Sequence, residues 1–124
     1  MTLDQYENAL NRLLEELITY NIEIEKVYTC PHKRLDGCSC KKPQPYFIDK
    51  AIKQFNLEKE RSYVIGDSGK NDILMAKNIH MKSVLVLTGE GGESLTRDSL
   101  KWGNGPDFIA VNSLDAINQI LKYE

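Results

Sequence analysis

The segment at residues 29–43, TCPHKRLDGCSCKKP, contains all three cysteines of the chain and one of its two histidines. The pattern is C-x-H, five residues, then C-x-C, and its candidate ligands are Cys30, His32, Cys38 and Cys40. Three thiolates and an imidazole suit tetrahedral zinc, and Gly37 permits a tight turn between the two pairs. The alternative is a set of unrelated thiols beside a surface histidine. In a reducing compartment such crowding favours a metal over disulfides, so we predict zinc and call residues 30–40 the zinc loop.

Two lysines, Lys41 and Lys42, follow the zinc loop directly and precede Pro43. A lysine ammonium is a compact donor for phosphate oxygens, and a metal-stiffened loop would hold both ammonium groups in fixed places. Adjacent lysines usually lie on a solvated surface. Their position beside the zinc loop is what indicates a phosphate site.

A second group of polar residues lies in SYVIGDSGKND, residues 62–72. Asp67 follows a short apolar stretch, and α/β sheets bind ligands at the carboxyl ends of such strands. Gly66 permits a tight turn there, and both Asp67 and Asp72 are candidate ligands of an oxygen-preferring ion such as Mg²⁺. For Asp72 a structural role is equally open, because Asn71 or Asp72 would also cap the helix that follows.

The elements that must position these residues alternate along the chain. Thr2 and Gln5 predict a capping box for the first helix, and apolar residues at helical spacing extend it. The predicted helices are 2–20, 45–55, 72–78 and a closing helix capped by Ser113. The predicted strands are 22–28, 62–65, 83–88 and 108–111, with a glycine-rich loop, GEGGES, at 89–94. Short apolar strands between helices predict an α/β fold with a parallel sheet that helices flank on both faces.

Composition limits the classes of function. The 124 residues are 41% apolar and 27% charged with a net charge of −2, which is typical of one globular domain. This charge argues against nucleic acid or an anionic membrane as a partner. No apolar run approaches the ~20 residues of a membrane helix, and the acidic N-terminus does not resemble a signal peptide. We therefore expect a cytoplasmic protein.

Taken together, CPHKRLDGCSCKKPQP, SYVIGDSGKND and SVLVLTGEG resemble the haloacid dehalogenase (HAD) superfamily. They are most similar to its branch of heptose bisphosphate and histidinol-phosphate phosphatases, from about residue 2 to about residue 93. The resemblance implies a Rossmann-like sheet with an inserted zinc loop and hydrolysis of a small phosphorylated substrate through an aspartyl-phosphate. It implies that Lys42 stabilises the transferring phosphoryl group and that Lys41 replaces a substrate-recognising arginine. It also implies that Asp67 binds Mg²⁺.

Several departures accompany the resemblance. The chain contains no DxD motif, which supplies the nucleophile and the acid/base in this superfamily. Ser68 replaces a frequent lysine, Asp72 comes one residue later than in a GDxxxD motif, and His80 stands where a glycine is expected at a helix end.

The resemblance implies one HAD-like domain over 1–124 that lacks its first strands. The open edges would then close up, exchange with a second copy, or receive strands from another chain. We expect a C-terminal phosphatase half that is inactive alone. The alternative is a non-catalytic, zinc-stabilised module that binds a phosphorylated ligand or a partner chain.

Overall fold

A computed structural model describes residues 1–97 and 105–124. Its helices are α1 (Leu3–Thr19), α2 (Tyr46–Phe55), α3 (Leu74–Asn78), α4 (Gly91–Arg97) and α5 (Ser113–Tyr123). Its strands are β1 (Tyr63–Gly66), β2 (Lys82–Val86) and β3 (Phe108–Ala110). Single 3₁₀ turns lie at Arg34–Asp36 and Lys59–Arg61, and a π-helical turn at Gly69–Ile73 leads into α3. None of the described helices is long and apolar enough to cross a membrane.

The sheet has the order β1-β2-β3 and is parallel throughout. Alternate side chains of β2 point to opposite faces, and each face has its own core. On one face Val84 and Val86 pack with Ala110 and with Ala116 of α5. On the other face Leu85 packs with Ile73. A parallel sheet with helices on both faces confirms the predicted fold class.

The start of α1 matches its prediction. The backbone N–H of Gln5 donates to the Thr2 hydroxyl at 3.1 Å, and the Thr2 N–H donates to the Gln5 side-chain oxygen at 2.8 Å. This reciprocal capping box satisfies two N–H groups that have no partner inside the helix.

The predicted strand at 22–28 is wrong, because no residue of this segment belongs to a strand in the described structure. A strand needs a neighbour for its backbone hydrogen bonds, and the sheet here ends at β1. The Tyr28 side chain is held by other contacts: its ring stacks on Phe47 at 5.3 Å, and its hydroxyl donates to Gln54 at 2.7 Å.

Two further boundary predictions need correction. The N-cap of α5 is Asn112, whose side-chain oxygen accepts from the Asp115 N–H at 2.9 Å, and Ser113 is the first helical residue. The GEGGES stretch is only partly a loop, because α4 begins at Gly91. Gly91 lies so close to the Val86 carbonyl that any Cβ there would overlap it, which explains a glycine at this helix start.

The end of α3 shows why a glycine was expected at residue 80. The N–H of Met81 donates to the Ala76 carbonyl and that of His80 to the Lys77 carbonyl, which together form a Schellman motif. His80 has φ +58°, in the left-handed region that favours glycine.

Candidate functional site

The zinc loop gathers its four predicted ligands at one point. Their ligating atoms all lie within 4.8 Å of one another. The Cys30 sulfur lies 3.2 Å from the Cys40 sulfur and 3.5 Å from the Cys38 sulfur. His32 Nδ1 lies 3.4 Å from the Cys30 sulfur and 3.3 Å from the Cys40 sulfur. Tetrahedral ligands at ~2.3 Å from zinc are separated by ~3.8 Å, so this cluster needs little adjustment to bind the ion.

A tight turn between the two pairs produces this convergence. Gly37 has φ +66°, and the Lys33 N–H donates to the Asp36 carboxylate at 2.6 Å. The left-handed backbone at Gly37 reverses the chain so that the C-x-C pair returns to the C-x-H pair. This is the role predicted for Gly37.

The thiols of the cluster are close enough to shift one another's pKa values. The Cys30 thiol, followed by burial, raises the pKa of Cys40 to about 11. Burial raises the pKa of Cys38, but hydrogen bonds from Cys30 and from the backbone outweigh it and leave that pKa lowered. The pKa values of Cys38 and Cys40 are therefore shifted in opposite directions by the thiols around them. A divalent cation replaces thiol protons, and the chemistry of this ligand set fits zinc.

The second part of the site is an ion pair that joins the segment after the zinc loop to the π-helical turn after β1. Lys42 Nζ lies 2.6 Å from Asp72 Oδ1, and the Lys42 side chain is 53% exposed while that of Asp72 is 8% exposed. The other Asp72 oxygen accepts from the Ser68 N–H at 3.2 Å. Asp72 is therefore a buried, paired carboxylate. The cap interpretation of Asp72 is wrong, because it lies inside the π-helical turn.

The π-helical turn explains why Asp72 comes one residue later than the resemblance implies. The Ile73 N–H donates to the Ser68 carbonyl at 3.1 Å, which is an i to i+5 bond. Such a turn contains one residue more than an α-helical turn, so it absorbs an inserted residue. The Asp72 carboxylate consequently lies against Gly66, where a Cβ would overlap it. Only a residue without a Cβ fits at position 66, beside the Asp72 carboxylate.

Asp67 is held by the loop between β2 and α4. One of its carboxylate oxygens accepts from the Glu90 N–H at 2.8 Å. Gly89, with φ +58°, passes so close that a Cβ there would overlap the same carboxylate. This contact explains the first glycine of GEGGES.

Ser94 is a site-supporting residue that the sequence did not single out. It is fully buried, and its hydroxyl donates to the Asp67 carbonyl at 3.1 Å and accepts from the Gly69 N–H at 3.1 Å. In the sequence Ser94 stands out only as the last residue of the GEGGES stretch. Ser68, between the two aspartates, has a buried hydroxyl with no hydrogen-bond partner among the described residues.

A cavity of about 450 Å³ lies where the zinc loop meets the turn after β1. Lys41 and Lys42 line it from the loop side, and Lys70 and Asn71 line it from the turn. Its volume is in the range of small-ligand sites. Three ammonium groups around one cavity favour an anionic ligand. Asp67 is not among its lining residues.

Comparison with known proteins gives a family. Residues 39–117, more than half of the chain, match the HAD-hydrolase-like family model. The chain is 36% identical over 75 residues to D-glycero-beta-D-manno-heptose-1,7-bisphosphate 7-phosphatase of Neisseria meningitidis serogroup A, covering 60% of this chain and 40% of that one. It is 34% identical over 88 residues to the protein of that name from Helicobacter pylori J99, covering 70% and 50%.

The bifunctional histidine biosynthesis protein HisB of Campylobacter jejuni (strain 81-176) is 31% identical over 81 residues, covering 65% of this chain and 23% of that one. The matches thus span half or less of these relatives' lengths. Among solved structures, D,D-heptose 1,7-bisphosphate phosphatase from B. bronchiseptica superposes with a TM-score of 0.85 at 21% identity. That superposition covers 98% of this chain and 66% of the other.

Proposed function

Because the chain belongs to the HAD-hydrolase-like family, we propose that it forms the phosphate-binding part of a phosphatase for sugar or histidinol phosphates. The names of the similar proteins, a heptose bisphosphate 7-phosphatase and HisB, support this class of substrate. The observation that carries the proposal is the Lys42–Asp72 pair, which joins the segment after the zinc loop to the π-helical turn after β1.

In this proposal Lys42 donates to an oxygen of the bound phosphate, and its positive charge offsets negative charge that develops during phosphoryl transfer. Asp72 orients the Lys42 ammonium through their 2.6 Å ion pair. Lys41, beside it on the same cavity wall, contacts the remainder of the substrate. Zinc held by the four ligands would fix the loop that directly precedes both lysines.

Asp67 and Asp72 would hold Mg²⁺, which when bound offsets the charge of the phosphate oxygens. Carboxylate and hydroxyl oxygens are the ligands that this ion prefers. The buried hydroxyl of Ser68, which follows Asp67 directly and has no partner among the described residues, supports a polar occupant near it. The residues therefore fit the ion, and the two carboxylates and the hydroxyl are the part that this chain contributes.

We further infer that this chain alone does not turn over phosphate esters. The family's reaction needs a carboxylate in line with phosphorus. Asp72 is paired with Lys42, and the Asp67 carboxylate accepts from a backbone N–H. Asp4 and Asp49 lie in the first turns of α1 and α2 and not at the end of a strand. None of these groups is placed as a nucleophile.

The second candidate is a non-catalytic, zinc-stabilised module that binds a phosphorylated ligand or a partner chain. The carboxylates of Asp67 and Asp72 already have hydrogen-bond partners, which favours such a module over an enzyme that acts alone. Addition of a polypeptide that carries a carboxylate nucleophile separates the two functions, because only the phosphatase part would then hydrolyse its ligand.

Calorimetric titration with inorganic phosphate and with histidinol phosphate tests the phosphate site. We expect Lys42→Ala to weaken binding at least tenfold. The matched control is Lys33→Ala, inside the zinc loop but not in the cavity lining, which should change affinity less than twofold. Equal losses in the two variants would reject the site.

A further inference from the structure

Two of the three lysines that line the cavity beside the zinc loop have no counter-ion. We call this cavity, lined by Lys41, Lys42 and Lys70, the lysine cavity. The charge of Lys42 is matched by Asp72, 2.6 Å away. The half-buried side chains of Lys41 and Lys70 make no ion pair or hydrogen bond to a described residue. No Asp or Glu is among the described residues that line the cavity, so two positive charges there are uncompensated.

The backbone that carries these two lysines is held on both sides of the lysine cavity. On the loop side, the Lys41 N–H donates to the Cys38 sulfur. On the other side, the Gly69 N–H, one residue before Lys70, donates to the fully buried Ser94 hydroxyl at 3.1 Å. A binding site whose backbone is already ordered loses less freedom when a ligand arrives. The two lysines are therefore presented to the cavity by two separately anchored segments.

Lys70 belongs to the π-helical turn Gly69–Ile73, which contains one residue more than an α-helical turn. The same turn carries Asp72, which pairs with Lys42, while Lys70 lines the cavity. Turns of this kind occur frequently at functional sites. The turn thus supplies both the carboxylate that matches the charge of Lys42 and a further ammonium group beyond that pair.

Phosphate alone would not fill the lysine cavity. A phosphate group has five non-hydrogen atoms, and at about 30 Å³ each, the volume of a water molecule in the liquid, it occupies about 150 Å³. The cavity of about 450 Å³ therefore has space for the rest of a ligand. A half-buried ammonium group without a counter-ion has lost part of its hydration, and an anion replaces that interaction. A cationic group in the same space would meet two like charges, which lowers affinity.

We propose that Lys70, together with Lys41, binds a second anionic group of the substrate, a carboxylate or a further phosphate. Lys42 holds the phosphate group that every substrate of the proposed function shares. Lys70 is then a specificity-determining residue, and the substrate is a phosphorylated sugar or sugar acid with two anionic groups, in preference to the cationic histidinol phosphate. This inference rests on the proposed function and narrows its substrate class.

Calorimetric titration of the zinc-loaded chain with two matched pairs of ligands tests the second contact. Sorbitol 6-phosphate and 6-phosphogluconate differ in one terminal group, a hydroxymethyl or a carboxylate. Fructose 6-phosphate and fructose 1,6-bisphosphate differ by one phosphate. In each pair the ligand with two anionic groups should bind at least tenfold more tightly, because it adds charge-assisted hydrogen bonds to the unpaired ammonium groups. Histidinol phosphate should bind no more tightly than sorbitol 6-phosphate.

Variants assign this preference to its residue. Lys70→Ala should reduce the preference within each pair to less than threefold, whereas Lys70→Arg, which keeps the charge, should retain most of it. The matched control is Lys77→Ala, because Lys77 is also half-buried but lies on α3 outside the cavity lining. This control should change the preference less than twofold. Lys42→Ala should weaken all four ligands alike, since they share the phosphate that it contacts.

The failure of this inference is distinguishable from that of the phosphate site. Equal affinities within both pairs, with sorbitol 6-phosphate still bound, would overturn the second contact and leave the phosphate site intact. A preference that Lys70→Ala does not change would also overturn it. A preference in one pair only would support the contact and identify the second group as carboxylate or phosphate. Absence of binding by every ligand would reject the phosphate site and this inference together.

Discussion

The contact between Gly66 and Asp72 allows a quantitative test of how the site is built. A Cβ at Gly66 would overlap the Asp72 carboxylate, which is itself paired with Lys42 and accepts from the Ser68 N–H. Gly66→Ala must therefore displace a buried carboxylate from both partners. Overpacking and loss of a buried hydrogen bond each cost about 1–3 kcal/mol, so we expect a loss of about 2–4 kcal/mol in the free energy of unfolding.

Asp72→Ala removes the group that the new Cβ would strike. Alone it should cost about 1–2 kcal/mol, because Lys42 is half exposed and loses little while the Ser68 N–H loses its partner. In the double variant the overlap disappears. The combined loss should then be smaller than the sum of the single losses by at least about 1 kcal/mol.

Urea unfolding of the zinc-loaded protein, followed by circular dichroism, measures these free energies. Gly92→Ala is the matched control, since a Cβ there meets nothing within 4 Å and Gly92 lies in α4, where alanine should be neutral or slightly stabilising. Additive losses for Gly66→Ala and Asp72→Ala would refute the contact and the placement of Asp72 that depends on it.

Three other outcomes follow from the same structure. Elemental analysis of protein purified without chelator should find about one zinc per chain. The Cys38→Ser variant should contain much less zinc. Wild-type protein that contains no zinc would contradict the predicted zinc site. His80→Gly should raise the free energy of unfolding by about 0.5–1 kcal/mol, because φ is +58° there, whereas His80→Ala should not; equal effects would contradict the Schellman motif. Hydrolysis of histidinol phosphate by the homogeneous chain should stay at background, and steady turnover that disappears in Asp67→Asn would show that a carboxylate here acts as nucleophile.

The sequence predicted those parts of the fold in which local pattern and tertiary structure agree. The capping box at Thr2 and Gln5 depends only on neighbours in the chain. The zinc loop was predictable because its ligands are close in sequence and chemically distinctive. The apolar strands at 62–65 and 83–88 lie within two residues of β1 and β2.

The sequence failed where the answer depends on distant elements. Residues 22–28 have the composition of a strand, but no strand lies beside them in the described structure. The role of Asp72 was open because the π-helical turn that moves it beside Gly66 has no simple sequence signature. Ser94 could not be identified as a support for Asp67, since only the fold brings β1 and α4 together.

The central claim is that the zinc loop and the turn after β1 form one phosphate site. The most direct measurement is the dissociation constant of inorganic phosphate before and after zinc removal by a chelator, with Lys42→Ala as a zinc-loaded comparison. We expect zinc removal to weaken phosphate binding at least tenfold in protein that keeps its sheet, and Lys42→Ala to do so with zinc still bound. Unchanged phosphate affinity in the zinc-free, folded protein would contradict the account, because the loop would then not position the lysines.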